Sequence, residues 1–572
     1  MKNVVSYILR SDGIELGDAA RVKSIVIINE ANRIPRANIL LLDGDVSKQD
    51  FAMSNQDFFK PGKNLEIDLG YESKVENVFK GVVVKISIKI RRSNASYLEV
   101  FCKHPAVKLT TKKKNLSFYN VNDKEAITQI LESAKIKHSL NGLTDFTHTQ
   151  LVQYESSSWD FMLSRIDANG SLILFDNEKL TVATPSMDGT EVMKCEYGAN
   201  VINFDALLDS ESQFSKVESR SWSPADQDIF LSQGNQDFKN QIGNIGSAEL
   251  ADVLNDEPYM LQHTGNVSME ELGQWAKSKS VKNELSKILG FVGIRGNSSI
   301  YPGKIIELSG FGDRFSGKAY VTGVRHEITQ GNWTSQIQFG LPSTWFSQQP
   351  NFNAPPAAGM LPAINGLQIG IVTQLEDDPE GEYRIRVRIP IMSNEEDGIW
   401  AQQAKIYAGS DYGICFSPEI GDEVVVGFLN EDPRKAVVLG VLHSSAKASP
   451  LSLKDDNFQK GIISRNGLKI IWDDDKKIIT ISTPGGHQIK LDDDANTISI
   501  EDSNQNKIEM SDQGLSLQSA KNLKLSAQQN IELEGLNIQS KASGKFSAEG
   551  NAGAEVKTSS IAVLKGSLVQ IN

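Results

Sequence analysis

The chain of 572 residues has only three cysteines, Cys102, Cys195 and Cys415, which lie far apart and form no C-x-x-C pair. This spacing favours neither a disulfide framework nor a zinc site, and it is typical of a protein that folds in the reducing cytosol. The seven histidines are also scattered, without an H-x-x-x-H or H-x-x-E-H arrangement. We therefore expect no metal site and no cofactor.

Basic residues and long apolar runs are scarce as well. The chain has 59 Lys and Arg against 72 Asp and Glu, a net charge of −13 and a pI near 5.2. This balance argues against binding to nucleic acid or to an anionic membrane surface, because phosphates attract a basic face. No apolar run approaches the ~20 residues that span a membrane, and residues 4–9 are too short for the core of a signal peptide. We expect synthesis in the cytoplasm without a signal peptide.

Pairs of apolar residues one residue apart recur through the C-terminal part of the chain. Such alternation at short, regular spacing is typical of stacked β-strands. Each strand offers few inward side chains, so it becomes stable when neighbouring strands or other copies of the chain complete the core. The tail therefore predicts an elongated, oligomeric β-structure. The pairs are Ile479/Ile481, Ile489/Leu491, Ile498/Ile500, Ile508/Met510, Leu515/Leu517, Leu523/Leu525 and Ile531/Leu533.

The rest of the chain mixes strand patterns with a few helices, and its length predicts several domains at roughly 100–200 residues each. Residues 348–363 are rich in proline and alanine. Neither a helix nor a strand can continue through them, so they predict a linker. Short strand patterns from 367 to 442 predict one small barrel. Earlier strand patterns cover residues 22–28, 37–42, 65–71 and 82–90, and helical spacing covers 123–137, 156–170 and 269–289.

Several patterns resemble sites of chemistry, but each has a simpler structural interpretation. Residues 312–318 fit the phosphate-binding G-x-x-x-x-G-K spacing, yet Ala319 stands where Mg²⁺ needs Ser or Thr, and we predict a hairpin loop. The aspartate runs at 473–475 and 492–494 predict hairpin turns, with a weak cation site as the alternative. No G-x-S-x-G motif is present, and residues 444–456 are too few for a glycosidase domain. We expect that the protein is not an enzyme.

An ordered set of motifs in the middle of the chain carries a family resemblance. Residues 377–390 read D-D-P-E-G and then R-I-R-V-R-I-P, and residues 418–428 read P-E-I-G-D-E-V-V-V-G-F. This block resembles the oligonucleotide/oligosaccharide-binding (OB) barrel of the spike proteins of contractile injection systems. That family includes the valine-glycine-repeat proteins of type VI secretion, phage tail spikes and the spikes of phage-tail-like particles. The hub of the same family is similar at residues 154–170 and 301–327.

The resemblance implies a mainly β fold with some α. Its hub would occupy residues 1–345 as two β-barrels with helical insertions, followed by a linker at 346–366 and an OB-fold barrel at 367–445. Meandering strands at 446–510 would form the base of a needle. Residues 511–572 would form the needle itself, a C-terminal trimeric, triple-stranded β-helix.

The resemblance also implies a function. The chain would be the homotrimeric central spike that joins an Hcp-like inner tube and baseplate proteins to a sharpened tip, punctures the target envelope and delivers effector cargo. It would be ejected to the extracellular space or a target cell. Leu568, Val569, Ile571 and Asn572 would bind a PAAR-repeat tip protein, or would simply be the last rung of the core. The sequence leaves open whether the machine is a type VI system, a released particle or a prophage tail.

A surface β-solenoid adhesin or glycan-binding protein is the alternative interpretation of the repetitive tail. Such a protein would need an export signal and exposed aromatic grooves, and the sequence indicates neither. A spike-linked hydrolase would need an inserted catalytic domain. A monomeric chain in solution would contradict the trimeric spike.

Overall fold

The structure is a computed structural model that describes residues 4–17, 20–91, 95–177, 179–223, 226–234, 241–254, 257–263, 267–349, 363–392 and 397–571. The chain divides into two compact units, Met1–Pro356 (unit 1) and Ala357–Asn572 (unit 2). Strands make up 42% of the structure and helices 12%, which confirms the expected mainly β fold with some α. The predicted linker, residues 346–366, lies for the most part outside the described residues.

Unit 1 opens with seven antiparallel strands: β1 (Val5–Ser11), β2 (Ile14–Glu15), β3 (Arg21–Glu30), β4 (Arg36–Leu42), β5 (Asn64–Tyr71), β6 (Lys74–Ile90) and β7 (Ser96–Lys103). The four strands predicted in this region lie within β3, β4, β5 and β6. Strand β6 begins earlier than predicted because a tight hairpin pairs Lys74 directly with Tyr71. Alternate residues of these strands, such as Ile25, Ile39 and Val100, are buried in one hydrophobic core.

A first insertion follows β7: β8 (Lys113–Val121), α1 (Asp123–Ser133), β9 (His138–Leu140), β10 (His148–Ser157), α2 (Ser158–Ala168), β11 (Leu172–Phe175) and β12 (Leu180–Ala183). Asn122 and Glu125 form a capping box at the start of α1. This helix ends before the predicted residue 137 because Lys135 has a φ of 52°, which a right-handed helix does not accept. Helix α2 begins as predicted, after Ser157, whose hydroxyl caps the N–H of Asp160 at 3.0 Å.

The remaining elements of unit 1 are β13 (Glu191–Glu196), β14 (Val201–Leu208), β15 (Val217–Ser223), β16 (Asp228–Gly234), α3 (Ser247–Ala251), β17 (Tyr259–His263), α4 (Met269–Ser286), β18 (Ile288–Arg295), β19 (Ile305–Ser309), α5 (Gly312–Phe315), β20 (Gly317–Thr329) and β21 (Asn332–Phe339). Strand β20 pairs with β19, β21 and β3 along its 13 residues. It thereby joins both halves of the unit in one 13-stranded sheet. The strands of residues 1–345 form two halves of one continuous sheet, each with its own hydrophobic core, and their division into two barrels stays a prediction.

A second insertion, β15 to α4, lies between β14 and β18, which are paired neighbours in the large sheet. Helix α4 ends at Ser286 instead of the predicted 289 because Ile288 already begins strand β18. The stretch 312–318 connects the antiparallel strands β19 and β20, as predicted, and includes the single helical turn α5. Lys318 lies in strand β20 and its ammonium pairs with Glu191 at 2.6 Å. The lysine of the phosphate-binding pattern is therefore paired with a carboxylate. A strand follows it, where a phosphate-binding loop would need a helix.

A buried cluster of charges joins the two insertions. Asp123 at the start of α1 accepts hydrogen bonds from Arg165 Nε and Asn169 Nδ2, each at 2.7 Å. Glu271 of α4 lies 3.6 Å from Arg165 Nη2. Burial alone would raise the pKa of Asp123, but the hydrogen bonds from His148 and Arg165 outweigh it and lower this pKa to about 2. The hub motif around Arg165 thus serves to fix α1, α2 and α4 to one another.

The last segment of unit 1 is fastened to the same helices. Lys279 of α4 is 3% exposed and donates to the carbonyl oxygen of Ser343 at 2.8 Å. Lys282, one turn later, pairs at 2.5 Å with Asp167 of α2, and Asp167 also accepts the Phe346 N–H at 2.9 Å. A pulling force on this segment would therefore be shared by two helices.

Unit 2 begins with β22 (Gln368–Gln374), β23 (Ile385–Arg388), β24 (Ile399–Gln403), β25 (Ala408–Gly409), β26 (Tyr412–Gly413), β27 (Glu423–Phe428) and β28 (Ala436–Val441). Five of them close into a barrel in the order β22-β23-β24-β28-β27. Its core contains Ile385 and Val387, which alternate with arginines along β23. Arg384 pairs with Asp378 at 2.6 Å and fixes the loop before β23. The small barrel predicted from the sequence is confirmed.

Seven further strands follow: β29 (Gln459–Ile463), β30 (Lys469–Asp473), β31 (Ile478–Ser482), β32 (Gln488–Asp492), β33 (Thr497–Glu501), β34 (Lys507–Ser511) and β35 (Gly514–Gln518). They form an antiparallel meander in chain order. The prediction that the meandering strands end at residue 510 is wrong, because β35 pairs with β34 through a tight turn. Leu515 and Leu517 stand opposite Met510 and Ile508, so they belong to the sheet and not to the needle that was predicted to begin at 511.

Replacing Asp123 by Asn removes one charge of a buried ion pair, and we expect the free energy of unfolding of unit 1 to fall by roughly 3–5 kcal/mol. A carboxylate whose pKa is lowered by folding stabilises the fold above its ordinary pKa, 3.8, and this contribution is lost as the pH falls through the folded value, about 2. The unaltered chain should therefore lose stability in that acid range more steeply than D123N.

Urea unfolding followed by tryptophan fluorescence at several pH values measures both effects. The control is Asp145→Asn, which changes an exposed carboxylate of the same insertion. Equal unfolding midpoints for D123N and D145N would contradict a stabilising role of the cluster.

Candidate functional site

The meander of unit 2 carries all its regular apolar pairs on one face. Alternate residues of a strand point to the same side, and the register places each apolar pair opposite the next. Two columns result, which together form the apolar face of the meander. One column is Ile462, Ile470, Ile481, Ile489, Ile500, Ile508 and Leu517, and the other is Trp472, Ile479, Leu491, Ile498, Met510 and Leu515.

The apolar face is more exposed to solvent than the polar residues between its members. Ile498 and Ile500 are each 46% exposed, whereas Ser499 between them is 8% exposed. Leu515, at the last strand, is 63% exposed. In a chain that acted alone, this distribution would be the reverse of the usual one, in which the apolar side of a sheet packs on a core. The arrangement indicates that something covers the apolar face.

The free energy available from covering this face can be compared with the cost of association. Full burial of one aliphatic side chain stabilises by roughly 1.5–3 kcal/mol, so a half-exposed one can still gain on the order of 1 kcal/mol. Summed over both columns, the gain is comparable to the ~4–15 kcal/mol of lost translational and rotational freedom. The exposed apolar residues beyond the sheet add to it. Association through this face is therefore favourable.

The first column lines a trough of about 630 Å³. Its floor is apolar and includes Ile489, Ile500 and Ile508, while Asp502 and Asn506 lie at its polar rim. Leu523, from beyond the last strand, borders the same space. A trough with an apolar floor and a polar rim can accept apolar side chains from another chain.

From β32 to β35 the opposite face of the meander is polar, whereas β29, β30 and β31 also place Ile463, Ile471 and Ile478 there. Thr480, Lys490, Ser499, Glu509 and Ser516 stand in register across five strands. The aspartate-rich segments form turns, as predicted. One aspartate of each run caps its turn by accepting a backbone N–H: Asp473 from Lys476 at 3.1 Å and Asp492 from Ala495 at 2.9 Å.

Beyond Gln518 the described chain, to residue 571, forms extended segments separated by bends and pairs with no strand of its own unit. The bends fall at 520–521, 528–529, 536, 543–544, 551–552, 559–560 and 567, a step of seven or eight residues. This step stays regular through the bend at Leu536. Every described residue from 520 to 571 is exposed, which favours the prediction that other chains complete this part of the structure.

The predicted tip residues lie in the last extended segment, after the bend at 567. Leu568 and Ile571 are 82% and 83% exposed, and Val569 is 50% exposed. Asn572 lies outside the described residues. Their role in binding a tip protein stays a prediction.

Sequence patterns missed two parts of this site. Strands β29 and β30 lie within the meandering strands predicted for 446–510, but Ile462, Ile470 and Trp472 were not among the predicted apolar pairs, and they extend both columns. Residues 406–417 of the barrel are also apolar and exposed, although they lie in a connection between strands.

Among the described residues, no helix combines the length and the apolar character needed to cross a membrane. In the same part of the chain, His, Cys, Asp and Glu side chains do not gather in threes that could hold a metal ion. Cys102 and Cys195 are buried, which raises the pKa of their thiols to about 12 and about 11, and Cys415 is exposed.

Two protein families match the chain. The family described as the Alg8 N-terminal domain matches residues 1–330. The Type VI secretion system/phage-baseplate injector OB domain matches residues 368–443, which correspond to the closed barrel of unit 2. The barrel match, together with the curated relatives described next, confirms the resemblance to spike proteins.

Curated relatives align with smaller parts of the chain. The type VI secretion system spike protein VgrG3 of Vibrio cholerae is 32% identical over 105 residues, which cover 16% of this chain and 10% of the relative. The spike protein VgrG1a of Pseudomonas aeruginosa is 25% identical over 181 residues, which cover 29% and 27%. The chain thus spans no more than about a quarter of the length of these relatives. The tail protein from Neisseria meningitidis MC58 is similar in structure, with a TM-score of 0.45 and 11% identity, over 60% of this chain and 98% of that one.

Two double variants test whether the apolar face drives association. Ile508→Lys with Leu517→Lys places two lysines opposite each other on this face, and Glu509→Lys with Ser516→Lys places two opposite each other on the polar face. A shift of one residue along each strand moves the pair to the other face of the same two strands. We expect the first variant to be largely dissociated in light scattering and the second to keep the mass of the unaltered protein. Equal masses for the two double variants would contradict the conclusion that the apolar face drives association.

Proposed function

We propose that this chain, which belongs to the family of the Alg8 N-terminal domain, is the homotrimeric central spike of a contractile injection system. In this role the chain joins the inner tube and baseplate to a sharpened tip, and the tail punctures the target envelope. Its work is mechanical, and effector cargo travels with it.

One observation carries the proposal. An injector-type OB barrel is followed in the same chain by a sheet whose apolar face is exposed and by a tail that bends every seven or eight residues. Three copies of such a chain would turn their apolar faces toward each other and close the strand edges along a common shaft. At ~4.8 Å per strand spacing, seven extended segments would give a needle of about 30–35 Å.

The parts of the chain receive corresponding roles. Residues 1–345 form the hub that contacts an Hcp-like inner tube and baseplate proteins, and the barrel at 367–445 follows the linker. The base of the needle runs from 446 to Gln518, where the last strand of the meander ends. The needle proper is the remaining tail, whose last residues, Leu568, Val569 and Ile571, bind a PAAR-repeat tip protein together with Asn572.

The chain has no catalytic domain of the kind that some spikes carry between barrel and needle. Strand β28 ends at Val441 and β29 begins at Gln459, and the segment between them has room for a loop only. Cargo would then travel with the tip protein or inside the tube. The protein would be made in the cytoplasm, assembled into the particle and ejected from it.

A surface adhesin or glycan-binding protein is the alternative function. The spike and the adhesin predict different proteins that copurify with the chain. A spike should be recovered with sheath and tube proteins from the source cells and should leave with the tube on contraction. Recovery on the cell surface without a sheath would favour the adhesin.

Deleting residues 568–572 tests the tip. We expect loss of binding to a purified PAAR-repeat protein, because the deletion removes three repeated sets of exposed apolar side chains. The mass in light scattering should not change, since the apolar face of the meander is intact. Val556→Ser is the matched control, because Val556 is 95% exposed and lies upstream in the tail. Binding that survives the deletion would refute the tip assignment.

A further inference from the structure

Between strands β24 and β27 the barrel carries an apolar arm, defined here as residues 406–417. All twelve of these residues are exposed within the chain. Ile406 is 92% exposed and Phe416 64% exposed. The arm has one charged side chain, Asp411, in a protein in which 23% of residues are charged. Depletion of charge together with enrichment of aromatic residues is typical of the centre of a protein interface.

The arm is an ordered hairpin. Strands β25 and β26 pair at its tip, and the Ile414 N–H donates to the carbonyl oxygen of Tyr407 at 2.9 Å. The rings of Tyr407 and Tyr412 contact each other with centroids 5.3 Å apart. At the base, Lys405 Nζ donates to the Phe416 carbonyl oxygen at 2.6 Å and to Gln403 at 2.8 Å. A preorganised apolar hairpin loses little conformational entropy when it binds a partner.

The root of the arm is fixed to the first hairpin of the meander. Glu419, just after the arm, pairs at 2.9 Å with Arg465, which lies in the turn between β29 and β30. The same hairpin begins the first apolar column with Ile462, which is 42% exposed, and carries Leu468, which is 53% exposed. The arm therefore starts at the end of the sheet where the apolar face begins.

We propose that the arm packs against the first meander hairpin of a neighbouring copy of this chain, so that each copy holds the next at the base of the needle. This inference rests on the proposed trimer. Rotational symmetry repeats both surfaces, and an arm that contacts the next copy closes a ring after three steps. Three aromatic rings at ~150–250 Å² each would bury on the order of 500–700 Å² per copy. That area is close to the ~800 Å² per partner of a stable interface.

The arm contains Cys415, and the reactivity of its thiol can report whether the arm is covered. It is the exposed member of the three cysteines, while burial keeps Cys102 and Cys195 protonated and inaccessible. A thiol reagent added to the native full-length protein therefore reports on Cys415. Cys415→Ser should remove the signal.

The test measures the mass by light scattering and the rate of reaction with Ellman's reagent on the same sample. We expect a trimer in which Cys415 reacts at least tenfold more slowly than glutathione, and at least tenfold more slowly than in the dissociated I508K/L517K variant. Phe416→Ser should speed the reaction in the trimer. Tyr383→Ser should not, although Tyr383 is 91% exposed on the same barrel.

The possible failures are distinguishable. A trimer in which Cys415 reacts as fast as glutathione would overturn the arm contact and leave the proposed spike standing. Protection of Cys415 only in intact particles would assign the arm to a different protein and would also overturn the contact. A chain that is monomeric by mass would overturn both the contact and the trimer.

Discussion

The exposed apolar face of the meander is the constraint on which the rest of the structure depends. On the central strands β32, β33 and β34 the side chains that water solvates poorly are the more exposed ones, as Ile498, Ser499 and Ile500 illustrate. A single layer of strands has no second layer to supply a core, so a core must come from other copies. The register is strongly specified, because a slip of one residue would turn every apolar pair to the polar side. The segments of the bent tail, like the sheet, would need other copies of the chain to form a core.

The needle proposed above can transmit force only if the chain that precedes it keeps its arrangement. Two sets of buried charges in unit 1 serve this purpose: Arg165 ties Asp123 to Glu271, and Asp167 ties Lys282 to the backbone of Phe346. Buried ion pairs contribute little net stability compared with apolar packing, but breaking one leaves an unpaired charge and is costly. They therefore favour one arrangement of α1, α2 and α4 over others. In unit 2, the exposed pair of Glu419 and Arg465 joins the barrel to the first hairpin of the meander, and it contributes less than a buried pair.

Local patterns could be predicted, and distant pairings could not. Alternation within a few residues was enough to find the strands from Ile479 onward and the barrel strand with Ile385 and Val387. The continuity of the large sheet depends on Glu30 pairing with Gly323, far along the chain, and no local pattern reports such a contact. The end of the meander at Gln518 was missed because Leu515 and Leu517 fit the spacing of both the sheet and the needle. The apolar arm has no period at all, so the sequence patterns included its residues in the barrel and did not distinguish them as a separate surface.

The solution mass of the intact protein tests the central claim most directly. If the apolar face and the bent tail exist to be completed by other copies, light scattering of the full-length chain should give three times the 62.8 kDa of one chain. Because this association completes the core, the value should persist on dilution to nanomolar concentration. A folded, soluble species of 62.8 kDa with its apolar face open to water would contradict the account.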